Sequence, residues 1–259
     1  MGRLLLFTVL TGCVLTGCGR ISFAPTVGDA GNDNQSELVD APIGPRWTLV
    51  QTSMSTSSTV TIAPSSSRNL IVVAAQIANA GSITSITDNA ADDDDVNANL
   101  LNESNTYVAI PAARATNTNP SNVLEIWYAQ NARRGATKIS IGATAPVLAA
   151  VAWEVSGIRT IDPLDTAGKL DGQPATIAPV GPSITTSTAG EFIVSVAIVA
   201  NVVTGASAGS EFTNDCLTNG NGWAHLADPG AAAGSHQAQW AQNTSGRYCA
   251  SAAAFRVSP

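Results

Sequence analysis

The sequence predicts an all-β protein, a β-sandwich of jelly-roll type that occupies residues 47–259. Short runs rich in Val, Ile, Thr and aromatic residues recur along this region, and many alternate with the period of a half-buried strand. Asn-Gly, Asp-Gly and Gly-Pro steps, which favour tight turns, separate the runs. Ala, Val, Thr, Ser, Gly and Asn dominate, a composition typical of exported β proteins rather than of helical bundles.

The expected strands are short and closely spaced. Asn69–Ala78 is apolar on both faces, which predicts a central strand covered on each side. Pro146–Val155 is rich in alanine and compatible with a helix, but the alternation of Val151, Trp153 and Val155 favours a strand. The other expected strands are Trp47–Thr52, Ser58–Ala63, Ile83–Thr87, Thr106–Ile110, Val123–Gln130, Lys138–Gly142, Leu148–Ser156, Glu191–Ala200, His236–Gln242 and Cys249–Val257.

An internal echo predicts two similar halves. Thr61–Ala78 and Ile184–Ala200 share the order strand, polar turn, long apolar strand. Each is followed by a strand with a tryptophan, at Trp127 and at Trp240, and then by an alanine-rich strand. Two such halves fit a jelly roll of two Greek keys, and the alternative is the loose repetition of any β protein with this composition.

The first residues predict an export signal with a lipid attachment site. Arg3 precedes an apolar run from Leu4 to Leu15, too short to cross a bilayer as a helix. Leu15-Thr16-Gly17-Cys18 then resembles the bacterial lipobox, whose cysteine thiol takes a diacylglyceryl group and becomes the first residue after cleavage. The same tetrapeptide ends at Cys13, but cleavage there would leave a thinner apolar stretch, so we expect Cys18. The alternative is an ordinary signal peptide with incidental cysteines.

The expected organisation is a signal peptide at 1–18, a disordered polar tether at 19–46 and one β-sandwich domain at 47–259. Gly19 follows the cleavage site. In the lipoproteins that this signal resembles, an Asp at that position often causes retention at the inner membrane. We therefore expect an exported protein, lipid-anchored to the outer membrane or the cell surface.

The charge balance narrows the range of partners. Charged residues make up 12% of the chain, and its net charge is −7. An acidic chain without a basic cluster is not expected to bind nucleic acid or an anionic membrane surface. The expected partners are the membrane, through the lipid anchor, and a glycan or another surface protein.

Cys216 and Cys249 remain after processing. An even pair of cysteines in an oxidising compartment predicts a disulfide between them. Neither has a nearby His or Lys in the sequence that would stabilise a thiolate, so a reactive thiol is not expected.

The chain resembles uncharacterised β-sandwich modules of bacterial surface and secreted proteins at three short motifs. These are Trp127-Tyr128-Ala129, the segment from Ala152 to Ile158 that contains Ser156-Gly157, and Pro163-Leu164-Asp165. The similarity spans most of Trp47–Val257. Those modules tend to have a Gly-Asn-x-Tyr turn where Asp88 here leads into Asn-Ala-Ala and four aspartates. The resemblance implies a non-catalytic surface module of unassigned role.

Gly205-Ala206-Ser207-Ala208-Gly209 matches the G-x-S-x-G pattern of the α/β-hydrolase nucleophile elbow, and Asp215 or Asp228 and then His236 follow it in the expected order. That mechanism needs a helix directly after the serine, to present its hydroxyl and to complete the oxyanion hole. The residues from Ser210 to Asp215 offer no helix. A hydrolase based on Ser207 is therefore the least favoured function, and we expect no catalytic residues.

One residue group, a run of aspartates, could hold a metal. The run Asp92, Asp93, Asp94 and Asp95 supplies oxygen ligands suited to Ca²⁺, against the alternative of a solvated acidic loop. No other cofactor is expected. His225 and His236 lack partners at zinc-ligand spacing, and His236 shares a strand face with Ala238 and Trp240, which predicts a buried structural role.

The tryptophans suggest carbohydrate binding, because an indole face can stack on a sugar ring. Trp153 and Trp240 lie on apolar strand faces and are expected in the core. Trp47, Trp127 and Trp223 are the candidate ligand-binding aromatics, with either Trp127 or its neighbour Tyr128 facing outward.

The favoured function is adhesion, or glycan or ligand binding, by a non-enzymatic surface lipoprotein. The alternative is a structural envelope component without a specific ligand. Exposed tryptophans would favour binding, and fully buried ones would favour the structural role.

Overall fold

Layers of antiparallel β-structure stack face to face in the computed structural model of this protein. It describes residues 47–90, 104–118 and 121–259, all of which lie within one compact unit. Two large sheets form the centre, and smaller sheets cover their outer faces. The predicted all-β, sandwich-like fold is confirmed. No helix in the described ranges is long and apolar enough to cross a membrane.

The first half of the domain contains one large and one small sheet. The large sheet has the order β1-β9-β3-β7-β5, with β6 also on β7, and the small sheet has the order β2-β8-β4. A 3-10 turn at Pro111–Ala113 precedes β6. The strands are β1 (Thr48–Ser55), β2 (Thr59–Thr61), β3 (Leu70–Ala78), β4 (Ile83–Asp88), β5 (Val108–Ala109), β6 (Ala115–Thr118), β7 (Ser121–Ala129), β8 (Lys138–Ala143) and β9 (Val147–Ser156).

The second half repeats this arrangement. Its large sheet has the order β10-β18-β12-β15-β14, and the pairs β11-β16 and β13-β17 form its small sheets. A 3-10 turn at Thr218–Gly220 connects β14 to β15. The strands are β10 (Leu164–Thr176), β11 (Ile184–Thr185), β12 (Phe192–Val199), β13 (Val203–Ala206), β14 (Phe212–Cys216), β15 (Gly222–Leu226), β16 (Ser235–His236), β17 (Trp240–Gln242) and β18 (Gly246–Phe255).

The strand register shows which residues of the two halves are equivalent. In each large sheet the last strand lies between the first strand and the third, so β1, β9, β3 and β7 correspond to β10, β18, β12 and β15. The first strand of each half has a register irregularity at the same place, after Leu49 and after Leu164. The pairings make the following residues equivalent: Leu49 and Leu164, Leu70 and Phe192, Val155 and Phe255.

The turns that precede β3 and β12 match in backbone geometry. Arg68 and Gly190 each lie two residues before the strand and have a positive φ, 66° and 73°. The N–H of Arg68 donates to the carbonyl of Ala132, and the N–H of Gly190 donates to that of Ala231. The predicted repetition is thus present in the structure. The expected match of the Trp127 strand with the Trp240 strand is wrong, because β7 corresponds to β15.

Three apolar cores explain the long apolar strands. Leu70, Val72 and Ala74 of β3 face the central core between the two large sheets, with Val194 and Val196 of β12 opposite. The intervening residues of β3 face a first outer core under the small sheet β2-β8-β4, and those of β12 face a second outer core. Both strands are therefore covered on each face, as predicted for 69–78.

Polar bonds also join the halves across the central core. The Nδ2 atoms of Asn219 and Asn221 donate to Gln76 Oε1 over 3.0 and 2.8 Å. Ser251 Oγ donates to the carbonyl of Ala113 over 2.6 Å. These bonds fix the register of one large sheet against the other, because a buried polar group left unpaired is costly.

Candidate ligand-binding groove

Tyr128 is an aromatic residue whose ring the fold leaves partly exposed at one end of the sandwich. It lies near the end of β7, next to Val108 of β5, and its ring meets the ring of Phe255 edge-on with centroids 5.5 Å apart. Burial, followed by the nearby Asp162 carboxylate, raises the pKa of the Tyr128 hydroxyl. The hydroxyl is therefore neutral at physiological pH and able to donate a hydrogen bond.

A shallow groove of about 510 Å³ opens beside this ring. One wall comes from the segment that joins the two halves, where Asp162 adopts a positive φ of 47°. Val108 and Ile161 add apolar surface and are 46% and 69% exposed. The groove is lined by Thr106, Val108, Tyr128, Gln130, Asn131, Thr160, Ile161 and Asp162.

The polar groups of the groove are available to bind a ligand. Among the described residues, the side chains of Gln130, Asn131 and Asp162 have no hydrogen-bond partner, and neither has the Tyr128 hydroxyl. Together they provide two amides, a carboxylate and a hydroxyl around a partly exposed ring. Such a set suits a neutral ligand that carries several hydroxyl groups.

The equivalent place in the second half is filled from within the chain. Val72 pairs with Tyr128 and its equivalent Val194 pairs with His225, so His225 corresponds to Tyr128. Trp47 lies two residues before Leu49, as Asp162 lies two residues before Leu164, so Trp47 corresponds to Asp162. The Trp47 ring meets His225 edge-on with centroids 5.9 Å apart and is only 5% exposed.

A bulge in β14 places a carboxylate beneath this second position. The register of β14 shifts between Asn214 and Cys216, which turns the side chain of Asp215 toward the seam between the large sheets. Asp215 Oδ1 lies 2.7 Å from His225 Nδ1, and Asp215 Oδ2 accepts a hydrogen bond of 2.7 Å from Trp153 Nε1. This buried Asp–His pair was not predicted, because the bulge that creates it has no sequence signature.

The structure corrects the candidate aromatics. Trp47 and Trp223, two of the three candidates, are buried in the central core and present no ring face to solvent. Trp127 is half-buried against the first outer core, and its Nε1 donates to Glu125 Oε2 over 3.0 Å. Trp153 and Trp240 are fully buried, as predicted. The groove therefore rests on Tyr128 rather than on a tryptophan.

The predicted disulfide is wrong. Cys216 and Cys249 are both free and buried. Cys216 lies on β14 and Cys249 on β18, three strand positions apart in the same sheet. Neighbouring strands are about 4.8 Å apart, so the two cysteines are separated by about 14 Å, twice the span that a disulfide can bridge.

Ser207 lies on a loop that joins β13 to β14, as predicted. Its N–H donates to the carbonyl of Gln239, and its own carbonyl closes a turn with the N–H of Ser210. His236, the expected partner, uses Nδ1 on Glu211 Oε2 at 2.9 Å and Nε2 on the carbonyl of Ala232 at 3.1 Å. Neither ring nitrogen is left to accept a proton from Ser207.

The remaining predicted sites fall outside the described residues. These are the lipid attachment site Cys18 and the possible calcium ligands Asp92, Asp93, Asp94 and Asp95. Asp88, just before the acidic run, holds a local network by accepting hydrogen bonds from Asn105 Nδ2 and the Tyr107 hydroxyl. Within the part of the chain that the structure describes, no three His, Cys, Asp or Glu residues are grouped to hold a metal.

Comparison with known proteins does not point to a ligand or an activity for this site. No protein-family model matches the chain, and no curated protein or solved structure shows significant similarity to it.

Proposed function

We propose that this protein binds a carbohydrate in the Tyr128 groove, as a non-enzymatic surface protein held to the outer membrane by a lipid on Cys18. The observation that carries the binding proposal is the contrast between equivalent positions. In the second half, the Trp47 indole covers His225. Beside Tyr128 in the first half, the residue that corresponds to Trp47 is the exposed Asp162. The Tyr128 ring is therefore left uncovered.

The chemistry of the groove favours a sugar over a flat apolar ligand. The Tyr128 ring offers an apolar face for the C–H side of a pyranose. Asp162 and Asn131 border it with acceptors and donors that have no partner among the described residues. Sugar hydroxyls need both kinds of group, and the size of the groove is suited to one or two sugar rings.

A structural envelope role without a ligand is the second candidate. The burial of Trp47 and Trp223 favours it, because buried indoles serve packing rather than recognition. Under that alternative, Tyr128 would contribute only its contact with Phe255. The two candidates differ in whether a sugar perturbs Tyr128.

The test is a substitution that gives the groove the residue found in the second half. Asp162→Trp should cover Tyr128 and weaken sugar binding by at least tenfold, and it should lower stability by about 1–2 kcal/mol, because the positive φ of 47° at this position strains a bulky residue. Ile177→Trp is the matched control, because Ile177 is 63% exposed and does not line the groove. Binding is measured with the full-length protein on a glycan array and by saturation-transfer NMR with glucose, galactose, mannose and N-acetylglucosamine. Equal binding by wild type and Asp162→Trp, or no binding by wild type in either assay, would reject the groove.

We also infer that each half is a jelly roll. In the first half, the chain passes between the large and the small sheet at β1, β2, β3 and β4, and again at β7, β8 and β9. The first and last strands lie side by side, with the third strand next to the last. This order supports two fused jelly rolls rather than one jelly roll divided between the halves.

A further inference from the structure

We infer that the second half contains its own carbohydrate site, formed by His225, Asp215 and Phe192, which Trp47 occupies in place of a ligand. This inference rests on the proposed function of the Tyr128 groove. It extends that function to a second, closed site in the same chain, with the same class of ligand.

The first argument is the equivalence of the two sites. His225 corresponds to Tyr128, and Thr213 pairs with His225 as Val108 pairs with Tyr128. A ring stands at the same place in both halves, at the same end of the large sheet. The covering residue differs between the two sites. Trp47 covers His225 in the second half, whereas Asp162 lies beside Tyr128 in the first half.

The second argument concerns how Trp47 is held. Its ring meets Phe192 edge-on at 5.0 Å and His225 at 5.9 Å. Its Nε1 is buried, yet it has no hydrogen-bond partner among the described residues. A tryptophan retained for a specific structural bond would satisfy this donor. The indole is therefore held by edge-to-face packing against Phe192 and His225, without a hydrogen bond of its own.

The third argument concerns the polar groups next to the Trp47 indole, which are the Asp215 carboxylate and the His225 ring. Asp215 Oδ1 lies 2.7 Å from His225 Nδ1, so Nε2 is the ring nitrogen that this pair does not use. Nε2 has no hydrogen-bond partner within the described ranges. A sugar hydroxyl in the place of Trp47 would hydrogen-bond this atom, because a hydroxyl both donates and accepts, while the Phe192 ring packs on the apolar side of the sugar.

Trp47 is also placed where it can leave. It lies just outside β1, whose first pair is Thr48 with Ser156, and β1 is an edge strand with β9 as its one neighbour in the sheet. Moving Trp47 therefore breaks no strand pairing. The cost of moving Trp47 is the packing of its own buried ring in the central core.

The experiment separates the two sites by substitution. Asp162→Trp closes the open groove, and Trp47→Gly in the same chain opens the second. We expect the double variant to bind the monosaccharide to which wild type responds, while Asp162→Trp alone does not. Trp47→Gly alone should change the stoichiometry from one to two by native mass spectrometry with the same sugar.

Each outcome decides a separate question. If wild type binds and neither Trp47 variant gains a site, the second site is rejected and the open groove stands. If wild type binds none of the four sugars, the proposed function fails first. Near-ultraviolet circular dichroism checks the fold, and Trp47→Val, which keeps an apolar side chain in the seam, replaces the glycine variant if that one unfolds. Failure of the valine variant to bind rejects the inference equally.

Discussion

Glu154 and Glu191 accept hydrogen bonds from equivalent backbone N–H groups although they occupy non-equivalent positions. Glu154 Oε1 on β9 accepts from the N–H of Ser66 over 2.7 Å, and Glu191 Oε1 accepts from that of Thr188 over 3.1 Å. Ser66 and Thr188 each lie four residues before a central strand. The same turn is thus closed by a carboxylate from the last strand in one half and from the turn itself in the other.

Glu191→Gln should remove part of the pH dependence of stability. Burial raises the pKa of Glu191 above 4.5, helped by the neighbouring Asp165 carboxylate and opposed by the Thr188 hydrogen bonds. A raised carboxyl pKa means that the folded state holds the proton more tightly than the unfolded chain does. Its stabilising contribution is therefore present below pH 4.5 and is lost as the pH rises through the folded pKa. Urea unfolding from pH 4 upward should show this decline in wild type and a flatter profile in the variant. Identical profiles would contradict the assignment.

Glu154→Gln should destabilise the protein at neutral pH by about 1–3 kcal/mol. Glu154 receives donors from Ser66 N, Asn69 Nδ2 and Gln51 Nε2 at 2.7, 2.7 and 2.5 Å. A glutamine in its place would turn an NH₂ group toward one of these donors. Glu211→Gln, whose side chain is 42% exposed, is the control and should cost far less. Similar urea midpoints for the two variants would show that the Glu154 network contributes little.

The cysteine pair should behave as two buried thiols. Burial raises the pKa of Cys249 to about 12 and that of Cys216 above its usual value, so neither is a thiolate at pH 8. Iodoacetamide should leave both unmodified in the native protein and label both after unfolding, as read by peptide mass spectrometry. A reducing agent should not change the melting temperature. A Cys216–Cys249 cross-linked peptide would refute this prediction.

Cys18→Ser should release the protein from the membrane. In the proposed lipoprotein the Cys18 thiol accepts the diacylglyceryl group, and each acyl chain stabilises membrane binding by about 0.8 kcal/mol per buried methylene. Metabolic labelling with palmitate should mark wild type and the Cys13→Ser control but not the Cys18→Ser variant. Labelling that survives in Cys18→Ser and disappears in Cys13→Ser would move the anchor to the earlier cysteine.

Ser207→Ala should leave the rate of ester hydrolysis by the protein unchanged. Ser207 lies on a turn, and both ring nitrogens of His236 are already bonded to other residues. The full-length protein should not hydrolyse p-nitrophenyl acetate faster than a bovine albumin blank corrected for protein mass. Hydrolysis by wild type that disappears in Ser207→Ala would identify a nucleophile after all.

The sequence predicted the long apolar strands, but it missed the half-exposed β10 and the short, fully buried β15 (Gly222–Leu226). Leu70–Ala78 is evident because both of its faces are buried. The 13-residue strand Leu164–Thr176 was missed, because it is a half-exposed edge strand with Gly, Asp and Pro in its second part. The expected single strand at 236–242 is instead two short strands in different sheets.

The groove was harder to predict than the fold. The alternation of Trp127 and Tyr128 correctly placed them on opposite faces, but it could not tell which ring would remain open. Trp47 directly precedes the first strand, and nothing in its position along the chain shows that its ring turns inward onto Phe192. Asp162 gains its role from its match with Trp47 in a duplicated fold, which a faint sequence repeat does not reveal.

Covalent fusion of the two halves releases a constraint that a homodimer would have to obey. In a dimer of identical subunits, any substitution alters both copies of a surface at once, so one copy cannot close while the other stays open. Here the two copies lie in one chain, and each position can mutate alone. One copy of the site could thus acquire Trp47 and be filled by its side chain, while the other copy kept Asp162 and an uncovered Tyr128 ring. The central seam also holds at any protein concentration, because its two faces cannot dissociate.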